Sequence, residues 1–160
     1  MWQSEIADTG EISMQISIAC DHAGFELKEA IKAFLQEKSI SIEDFGAYSV
    51  APVDYVDPGL AASKNVVSGK SDFGILICGT GQGMVIIANK VKGIRASLCL
   101  TPDFAKLARQ HNDANVLVLA GRFLEKALAL EIVETFLNEP FSNEERHINR
   151  IEKIKLYETR

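Results

Sequence analysis

A thiol followed directly by a glycine-rich turn is the stretch of this sequence best suited to chemistry. Cys78 comes after the apolar run 73–77 and precedes Gly79-Thr80-Gly81-Gln82-Gly83, which has three glycines in five residues. Such a run is typical of a strand covered on both faces, and such a turn lets backbone N–H groups converge on a ligand. Apolar residues at helical spacing begin at Met84, so the thiol would lie near a helix N-terminus, which favours a thiolate. The alternative is a plain strand-to-helix turn with a buried cysteine.

Two polar residues that follow another strand would share an edge of the sheet with this thiol. Asp21 and His22 come directly after the apolar segment 15–20. The carboxyl ends of parallel strands meet at one edge of a sheet, where ligands bind. Asp21 could equally be the N-cap of the helix that follows, and the two roles are compatible.

The triplet His111-Asn112-Asp113 occupies a different place in the predicted fold. It lies between a predicted helix and the next strand, which makes it a loop at the amino edge of the sheet. A residue there cannot easily reach Cys78 of its own subunit. The triplet is therefore either a plain turn or part of the site of a neighbouring subunit.

The last predicted helix brings two arginines to one face. Arg146 and Arg150 are four residues apart, and His147 lies between them. Like charges at this spacing cost about 0.2–0.5 kcal/mol unless an anion relieves them, and paired arginines suit a phosphate. The alternative is a solvated face that nearby carboxylates neutralise, namely those of Glu144, Glu145 and Glu152.

The spacing of histidines and glycines disfavours a metal site and a dinucleotide site. His22, His111 and His147 lie in polar clusters, and no His-x-x-x-His or similar spacing supports metal binding. The glycine turn follows the third predicted strand rather than the first, and Ile86 stands where a dinucleotide fingerprint needs a small residue. We expect neither a metal nor a cofactor.

Apolar segments alternate with amphipathic ones along the chain. The predicted strands are 15–20, 40–45, 73–77, 93–99 and 115–120, and the predicted helices are about 25–35, 59–68, 84–91, 101–110, 124–137 and 143–157. Strands that alternate with helices demand a parallel sheet with right-handed crossovers. We therefore expect an α/β fold, a three-layer Rossmann-like five-stranded parallel sheet with helices on both faces.

Length and composition fit one domain that acts on small molecules. The chain has 160 residues, 47% of them hydrophobic, and a net charge of −5, which argues against a nucleic-acid or anionic-membrane surface. We expect a single domain over residues 14–160 and a flexible leader over 1–13, which carries three acidic residues and no Lys or Arg. No apolar run approaches the roughly 20 residues of a membrane span, and no signal-peptide pattern is found. Three widely spaced cysteines predict no disulfide framework and suit the reducing cytoplasm, namely Cys20, Cys78 and Cys99.

Seven ordered blocks of the sequence carry a family likeness. They are Cys20-Asp21-His22-Ala23-Gly24-Phe25, Asp54-Tyr55, Ile77-Cys78-Gly79-Thr80-Gly81-Gln82-Gly83, Ala88-Asn89-Lys90, Gly93-Ile94-Arg95, Arg109-Gln110-His111-Asn112-Asp113 and Arg146-His147-x-x-Arg150. Together they resemble the type B ribose-5-phosphate isomerases of the ribose/galactose isomerase family, over residues 14 to about 155. The resemblance implies an aldose–ketose isomerase of the pentose phosphate pathway. Such an enzyme interconverts D-ribose 5-phosphate and D-ribulose 5-phosphate through a cis-enediol intermediate, without metal or cofactor. The resemblance also implies a homodimer or tetramer whose active sites are shared between subunits.

Carried over by position, the resemblance implies a role for each residue of these motifs. Cys78 would be the base that removes the proton α to the carbonyl, with Thr80 beside it. The N–H groups of the turn from Gly79 to Gly83 would hold the enediolate oxygens, and His111 would open the furanose ring. The remaining residues would bind substrate: Asp21 and Asn112 the sugar hydroxyls, Tyr55 the wall of the site, and His22, Arg122, Arg146, His147 and Arg150 the phosphate.

Two positions depart from the family pattern. One branch of the family has serine at the position of Cys78 and a glutamate base at the position of Gln82, but neutral Gln82 cannot take a proton, so the base here is Cys78. Val56 replaces the usual proline after Asp-Tyr and leaves the shape of that loop open. The His-Asn-Asp triplet favours a five-carbon substrate, with galactose 6-phosphate or allose 6-phosphate as the alternative. A non-catalytic sugar-phosphate sensor is the alternative of another class, and it would need no base at Cys78.

Overall fold

The computed structural model describes residues 13–160 and confirms the predicted alternation of strands and helices. The strands are β1 (Gln15–Cys20), β2 (Ser41–Asp44), β3 (Phe73–Cys78), β4 (Ala96–Leu98) and β5 (Val116–Ala120). The helices are α1 (Phe25–Glu37), α2 (Val56–Val67), α3 (Gln82–Ala88), α4 (Pro102–Asn112), α5 (Lys126–Asn138) and α6 (Glu145–Glu158). Of the predicted leader, only Ser13 belongs to the described residues. Within them, no helix combines the length and the apolar character needed to cross a bilayer.

The five strands form one sheet in the order β2-β1-β3-β5-β4, and every pairing is parallel. Helices cover both faces, so the expected three-layer Rossmann-like fold is confirmed. The direction of winding reverses between β1 and β3. In open α/β sheets this reversal creates a crevice at the carboxyl ends of the two strands, where ligands bind.

Both faces of the central strands are buried, which explains their continuous apolar runs. On one face, alternate residues such as Ile18, Ile75 and Leu117 pack in a cluster with α1, α4 and α5. On the other face, residues such as Leu76 and Val118 pack with α2 and α3. The carboxyl ends of β1 and β3 are therefore held by a close-packed core, which is a rigid base for a site.

Two predicted boundaries were wrong because side chains replace backbone hydrogen bonds there. Helix α2 begins at Val56 rather than at residue 59, since the carboxylate of Asp54 accepts the Val56 N–H at 2.8 Å. Strand β4 covers only three residues of the predicted 93–99. The amide of Asn115 accepts the Arg95 N–H, and the amide of Asn89 bonds both the N–H and the carbonyl of Ala96.

Helix α4 extends further than predicted. His111 and Asn112 form its last turn rather than a loop, and Asp113 ends it in the left-handed region, at φ 44° and ψ 46°. The Asp113 N–H still reaches the carbonyl of Arg109, at 3.1 Å. The two residues lie at the amino edge of the sheet, as predicted, but they are held by a helix.

Candidate active site

Cys78 is the last residue of β3 and lies at the reversal of winding between β1 and β3. Cys78 is 4% exposed as a whole residue. Its carbonyl accepts the Gly121 N–H at 2.8 Å, which fixes the strand end against β5. The turn that follows is tight: Gly81 has φ +77°, and a Cβ there would lie 2.4 Å from Cδ1 of Leu98. A side chain at this position would strain the backbone of the turn and would require Leu98 to move.

Two side chains flank the glycine turn. A Cβ at Gly83 would lie 2.5 Å from the ring of Tyr55, so this ring packs directly on the first turn of α3. A Cβ at Gly79 would lie 3.3 Å from the guanidinium of Arg122, and the backbone N–H of Arg122 donates to the Gly79 carbonyl at 3.0 Å. The turn is therefore lined by an aromatic ring and by a cation.

Asp21 and His22 lie beside this turn, at the end of β1. The Asp21 N–H donates to the carbonyl of Ile77 at 3.1 Å, which joins the two strand ends. The Asp21 carboxylate accepts the Gly24 N–H at 3.0 Å, so it does cap the turn that leads into α1. Nδ1 of His22 lies 3.1 Å from the Val53 carbonyl oxygen, which anchors the imidazole to the loop before Tyr55.

His111 and His147 form a second cluster, with their rings stacked at 4.3 Å between centroids and 12° between planes. His147 is 2% exposed, and within residues 13–160 its Nε2 has no hydrogen-bond partner. Burial lowers the pKa of His147, and the charges of His111 and Arg146 lower it further. These surroundings therefore favour the neutral form of His147.

Two arginines of α6 lie near this second cluster. Arg146 is exposed, and its Nε donates to the Glu144 carboxylate at 2.8 Å. Arg150 is exposed one helical turn further on. The two arginines therefore present charge to solvent beside the stacked histidines, and one of them is already paired with a carboxylate.

The structure brings the predicted site residues together as two groups. Asp21, His22, Tyr55, Arg122 and the segment 78–83 meet at the carboxyl edge of the sheet. The second group, or amino-edge group, lies at the amino edge of the sheet and comprises His111, Asn112, Arg146, His147 and Arg150. Strand β5 separates the edges by five residues at about 3.3 Å each, or roughly 15 Å. One chain does not bring the two groups into contact.

Three residues around the His111 turn belong to motifs noted in the sequence but were assigned no role there. The carboxylate of Asp113 is bonded by both Arg95 and Arg109. The spacing of Arg109 and Asp113, four residues apart on a helix, is the sequence signal that could have found half of this arrangement. Arg95 is too distant along the chain to give one. Residues 13–160 contain no group of three or more His, Cys, Asp or Glu side chains placed to hold a metal ion.

Fold and site together define a doubly wound α/β protein with a thiol and a glycine turn at the edge of the sheet where such folds bind small ligands. The sequence model of one family, described as Ribose/Galactose Isomerase, matches residues 16–154. The ribose-5-phosphate isomerase B of Escherichia coli is 42% identical over 146 residues, which are 91% of this chain and 97% of that protein. The chain belongs to the ribose/galactose isomerase family, which comprises aldose–ketose isomerases.

Solved structures agree with this assignment. A ribose 5-phosphate isomerase from Thermotoga maritima has a TM-score of 0.87 and 53% identity, over 89% of this chain and 98% of that one. The ribose-5-phosphate isomerase B of Mycoplasma genitalium, solved with bound ribulose 5-phosphate, has a TM-score of 0.87 and 42% identity, over 93% and 99% of the two chains.

Proposed function

We propose that this protein is a ribose-5-phosphate isomerase, which interconverts D-ribose 5-phosphate and D-ribulose 5-phosphate in the pentose phosphate pathway. The observation that carries the proposal is the position of Cys78, at the winding reversal of the sheet and directly before a glycine turn. The three enzymes of this name described above are 42% or more identical to this chain over 89–93% of its length. A sensor of the same fold would need a phosphate site but no base at this position.

The proposed reaction moves one proton between two carbons. The thiolate of Cys78 takes the proton from C2 of the open-chain aldose, and electrons move onto the carbonyl oxygen to give a cis-enediolate. Backbone N–H groups of the turn from Gly79 to Gly83 stabilise that charge, with Thr80 beside the thiol. The thiol then delivers the proton to C1 while the hydroxyl proton on the C2 oxygen passes to the C1 oxygen, so the ketose forms without gain or loss of atoms.

Ring opening would come from the second group, and phosphate binding would use residues of both groups. His111 would take the proton of the anomeric hydroxyl and deliver one to the ring oxygen, and an imidazole has a nitrogen for each step. Asp21 and Asn112 would hold hydroxyls. The guanidinium groups of Arg122, Arg146 and Arg150 would bind the phosphate, together with the imidazoles of His22 and His147.

A site that needs both groups requires a second copy of the chain, so we propose a homodimer with shared sites. Support comes from an apolar surface on the helices before and after the edge strand β4. Phe104 and Leu107 are 59% and 46% exposed, and His111 follows them on the same face of α4. Ile86, on the helix that begins at the glycine turn, is also exposed. A two-fold contact over this surface would bury it and bring His111 of one subunit toward the turn of the other.

The cytoplasm is the proposed location. All three cysteines are free, as expected for a reducing compartment, and a phosphorylated pentose is an intracellular metabolite.

The deciding experiment measures ketose formation from ribose 5-phosphate by purified protein in the presence of a chelator. We expect turnover by the wild-type protein and none by Cys78→Ala, although the variant should still bind the phosphosugar. Binding without turnover by the wild-type protein would support the sensor instead. Turnover of galactose 6-phosphate in preference to the pentose would move the protein to the other activity of the family.

A further inference from the structure

The residue that ends helix α4 has an unusual backbone conformation. Asp113 lies in the left-handed region, which Asp and Asn tolerate better than most residues but which still needs support. His111 and Asn112 immediately precede it. The conformation of Asp113 therefore decides where the last turn of the helix stops and in which direction these two side chains point.

Two arginines hold Asp113, one through each carboxylate oxygen. Nη1 of Arg109 donates to Oδ1 at 2.8 Å and to the Ala114 carbonyl at 2.7 Å. Nη2 of Arg95 lies 3.3 Å from Oδ2 and donates to the Asp113 carbonyl at 2.9 Å. Nε of Arg95 also donates to the carbonyl of Asn112 at 2.9 Å. Carbonyls at the end of a helix lack partners within the helix, so Arg95 satisfies two of them.

Arg109 ties the same turn to the segment that leads into α6. It is almost fully buried, and its guanidinium lies 4.9 Å from the ring centroid of Phe73 and 5.8 Å from that of Phe136. Its Nε donates to the carbonyl of Glu139 at 3.2 Å. The carbonyl of Gln110 accepts the Ser142 N–H at 3.1 Å, which is a second link between α4 and this segment. The helix end that carries His111 and the helix that carries His147 are thus fixed to each other.

A simpler helix end would not need this arrangement. A glycine or asparagine would adopt the left-handed conformation without a charge, and the Asp113 side chain is 37% exposed, so solvent screens its ion pairs and they contribute little net stability. The arginines bond the main chain of the turn as well as the carboxylate. Their combined effect is to fix the position of the two residues that precede Asp113.

We propose that Arg95 and Arg109, acting through Asp113, are positioning residues for ring opening, because they hold His111 and Asn112 in place for the cyclic substrate. The proposal rests on the proposed function. Proton transfer to a ring oxygen requires the imidazole within hydrogen-bond reach of it, so a loosened turn loses this step first. The carbon-to-carbon proton transfer at Cys78 does not need these contacts.

The two directions of the reaction separate these steps. Ribose 5-phosphate is mostly a furanose and must be opened. Ribulose 5-phosphate has its C5 oxygen blocked by the phosphate, cannot close a five-membered ring, and enters the site open. An enzyme that cannot open the ring must wait for spontaneous opening of ribose 5-phosphate, and adding more enzyme does not accelerate that step.

The test measures initial rates in both directions over a wide range of enzyme concentration, for wild type, Arg95→Met and Asp113→Asn. From ribose 5-phosphate, we expect the rates of both variants to reach a ceiling that more enzyme does not raise. The wild-type rate should keep rising with enzyme concentration and pass that ceiling by roughly 100-fold or more, in the range that a positioned proton donor contributes. From ribulose 5-phosphate, the rate of every form should stay proportional to enzyme concentration.

The control is Lys38→Met, which removes an exposed ion pair with Glu134 far along the chain from the turn and should show no ceiling. Asp113→Asn keeps a residue that tolerates the left-handed region, so it remains informative if Arg95→Met does not fold. Equal loss in both directions without a ceiling, or wild-type behaviour of both variants, would overturn the positioning role. Absence of turnover by the wild-type protein would instead overturn the proposed function.

Discussion

Among single residues, burial suppresses the reactivity of two of the three thiols, whereas Cys78 is 4% exposed and precedes the glycine turn. Cys20 is fully buried, its sulfur donates to the Ala47 carbonyl, and burial raises its pKa to about 11. Burial also raises the pKa of Cys99. Only the thiolate reacts with alkylating agents. We predict that iodoacetamide at pH 8 modifies Cys78 before the other two, that activity falls in step with this label, and that ribose 5-phosphate slows both. Peptide mapping would contradict this if activity were lost while the label lay on Cys20 or Cys99.

A second prediction concerns the residues at positions 78 and 82. They are Cys and Gln here, whereas a related branch of the family uses serine with glutamate. Cys78→Ser should lower kcat at least about 100-fold. A serine hydroxyl is too weakly acidic to ionise at neutral pH, so it cannot act as the base, and Gln82 cannot replace it. Adding Gln82→Glu should recover part of that loss, about tenfold or more. Steady-state kinetics of the single and double variants test this. Near-normal turnover of Cys78→Ser would remove the thiol from the mechanism.

His147 gives a pH dependence whose sign follows from its lowered pKa. The folded protein binds a proton at this residue less readily than the unfolded chain, because the ring is buried and faces His111, Arg146 and Arg150, with Glu144 opposing them. Its contribution to stability is therefore complete above about pH 6.5 and is lost as the pH falls through the folded-state pKa. We predict that His147→Phe, which keeps an aromatic ring on His111, loses less stability than wild type between pH 8 and pH 5.5.

Urea unfolding at a series of pH values measures this difference. The pKa of Asp44 is also lowered, by hydrogen bonds from Lys28 and Lys32 that outweigh its burial, but a lowered carboxyl pKa affects stability only at more acidic pH. The two effects therefore occupy separate ranges. Parallel pH profiles of wild type and variant above pH 5.5 would contradict the prediction.

At the scale of elements, the apolar pattern of the sequence was enough to place the central strands. β3 and β5 were predicted to within one residue, because strands buried on both faces are continuous apolar runs. The rule that ligands bind at carboxyl ends then placed Asp21 and Cys78 at one edge and His111 at the other. These inferences need only local sequence and the parallel order of the sheet.

Other features depend on contacts between residues distant in sequence and carry no local signal. Strand β4 begins later than predicted because the Arg95 N–H is bonded by the amide of Asn115, which is twenty residues further along the chain. The stack of His111 on His147 and the bond from Arg95 to Asp113 arise only once α4, α6 and β4 are packed together. Such contacts decide the geometry of the amino-edge group, so the sequence could name its residues without predicting their arrangement.

Helix α6 contributes Arg150 to the proposed phosphate site, and replacing this residue tests that role. Arg150→Ala should raise the KM for ribose 5-phosphate and weaken inhibition by inorganic phosphate, because a hydrogen bond to a charged group contributes about 1.5–3 kcal/mol, or roughly 10- to 150-fold. Lys153→Ala, which removes an exposed cation from the same helix, is the matched control and should change neither value. If the two variants behave alike, the arginines of α6 are a solvated face and not a phosphate site.

At the scale of the whole molecule, the fold separates the thiol from the histidine that would open the ring. The packed sheet between the two edges is rigid, and no local rearrangement moves a residue across roughly 15 Å of it. In the proposed homodimer a neighbouring subunit would avoid this problem, since a two-fold axis near the edge strand β4 would bring the surface around His111 to the turn after Cys78 of the partner. The exposed Phe104 and Leu107 would then be the contact rather than a cost in solubility.

This arrangement predicts complementation between two inactive variants. Cys78→Ala would be co-refolded with a chain in which His111 and Asn112 are both alanine; the double replacement matters because free sugar opens its ring unaided and could mask the loss of His111 alone. In a mixed dimer, one shared site then carries both lesions and the other carries none. Random pairing makes half of the dimers mixed, and each has one intact site of two, so about a quarter of wild-type activity should return.

The matched control distinguishes shared sites from other effects of mixing. A chain that carries all three replacements, co-refolded with Cys78→Ala, forms the same mixed dimers but lacks the thiol in every site, and it should stay inactive. Differently tagged chains and a pull-down would establish that mixed dimers form in both mixtures. If the first mixture then remains at the level of its parents, each active site is built within a single subunit, and the amino-edge group of this chain serves some purpose other than catalysis at Cys78.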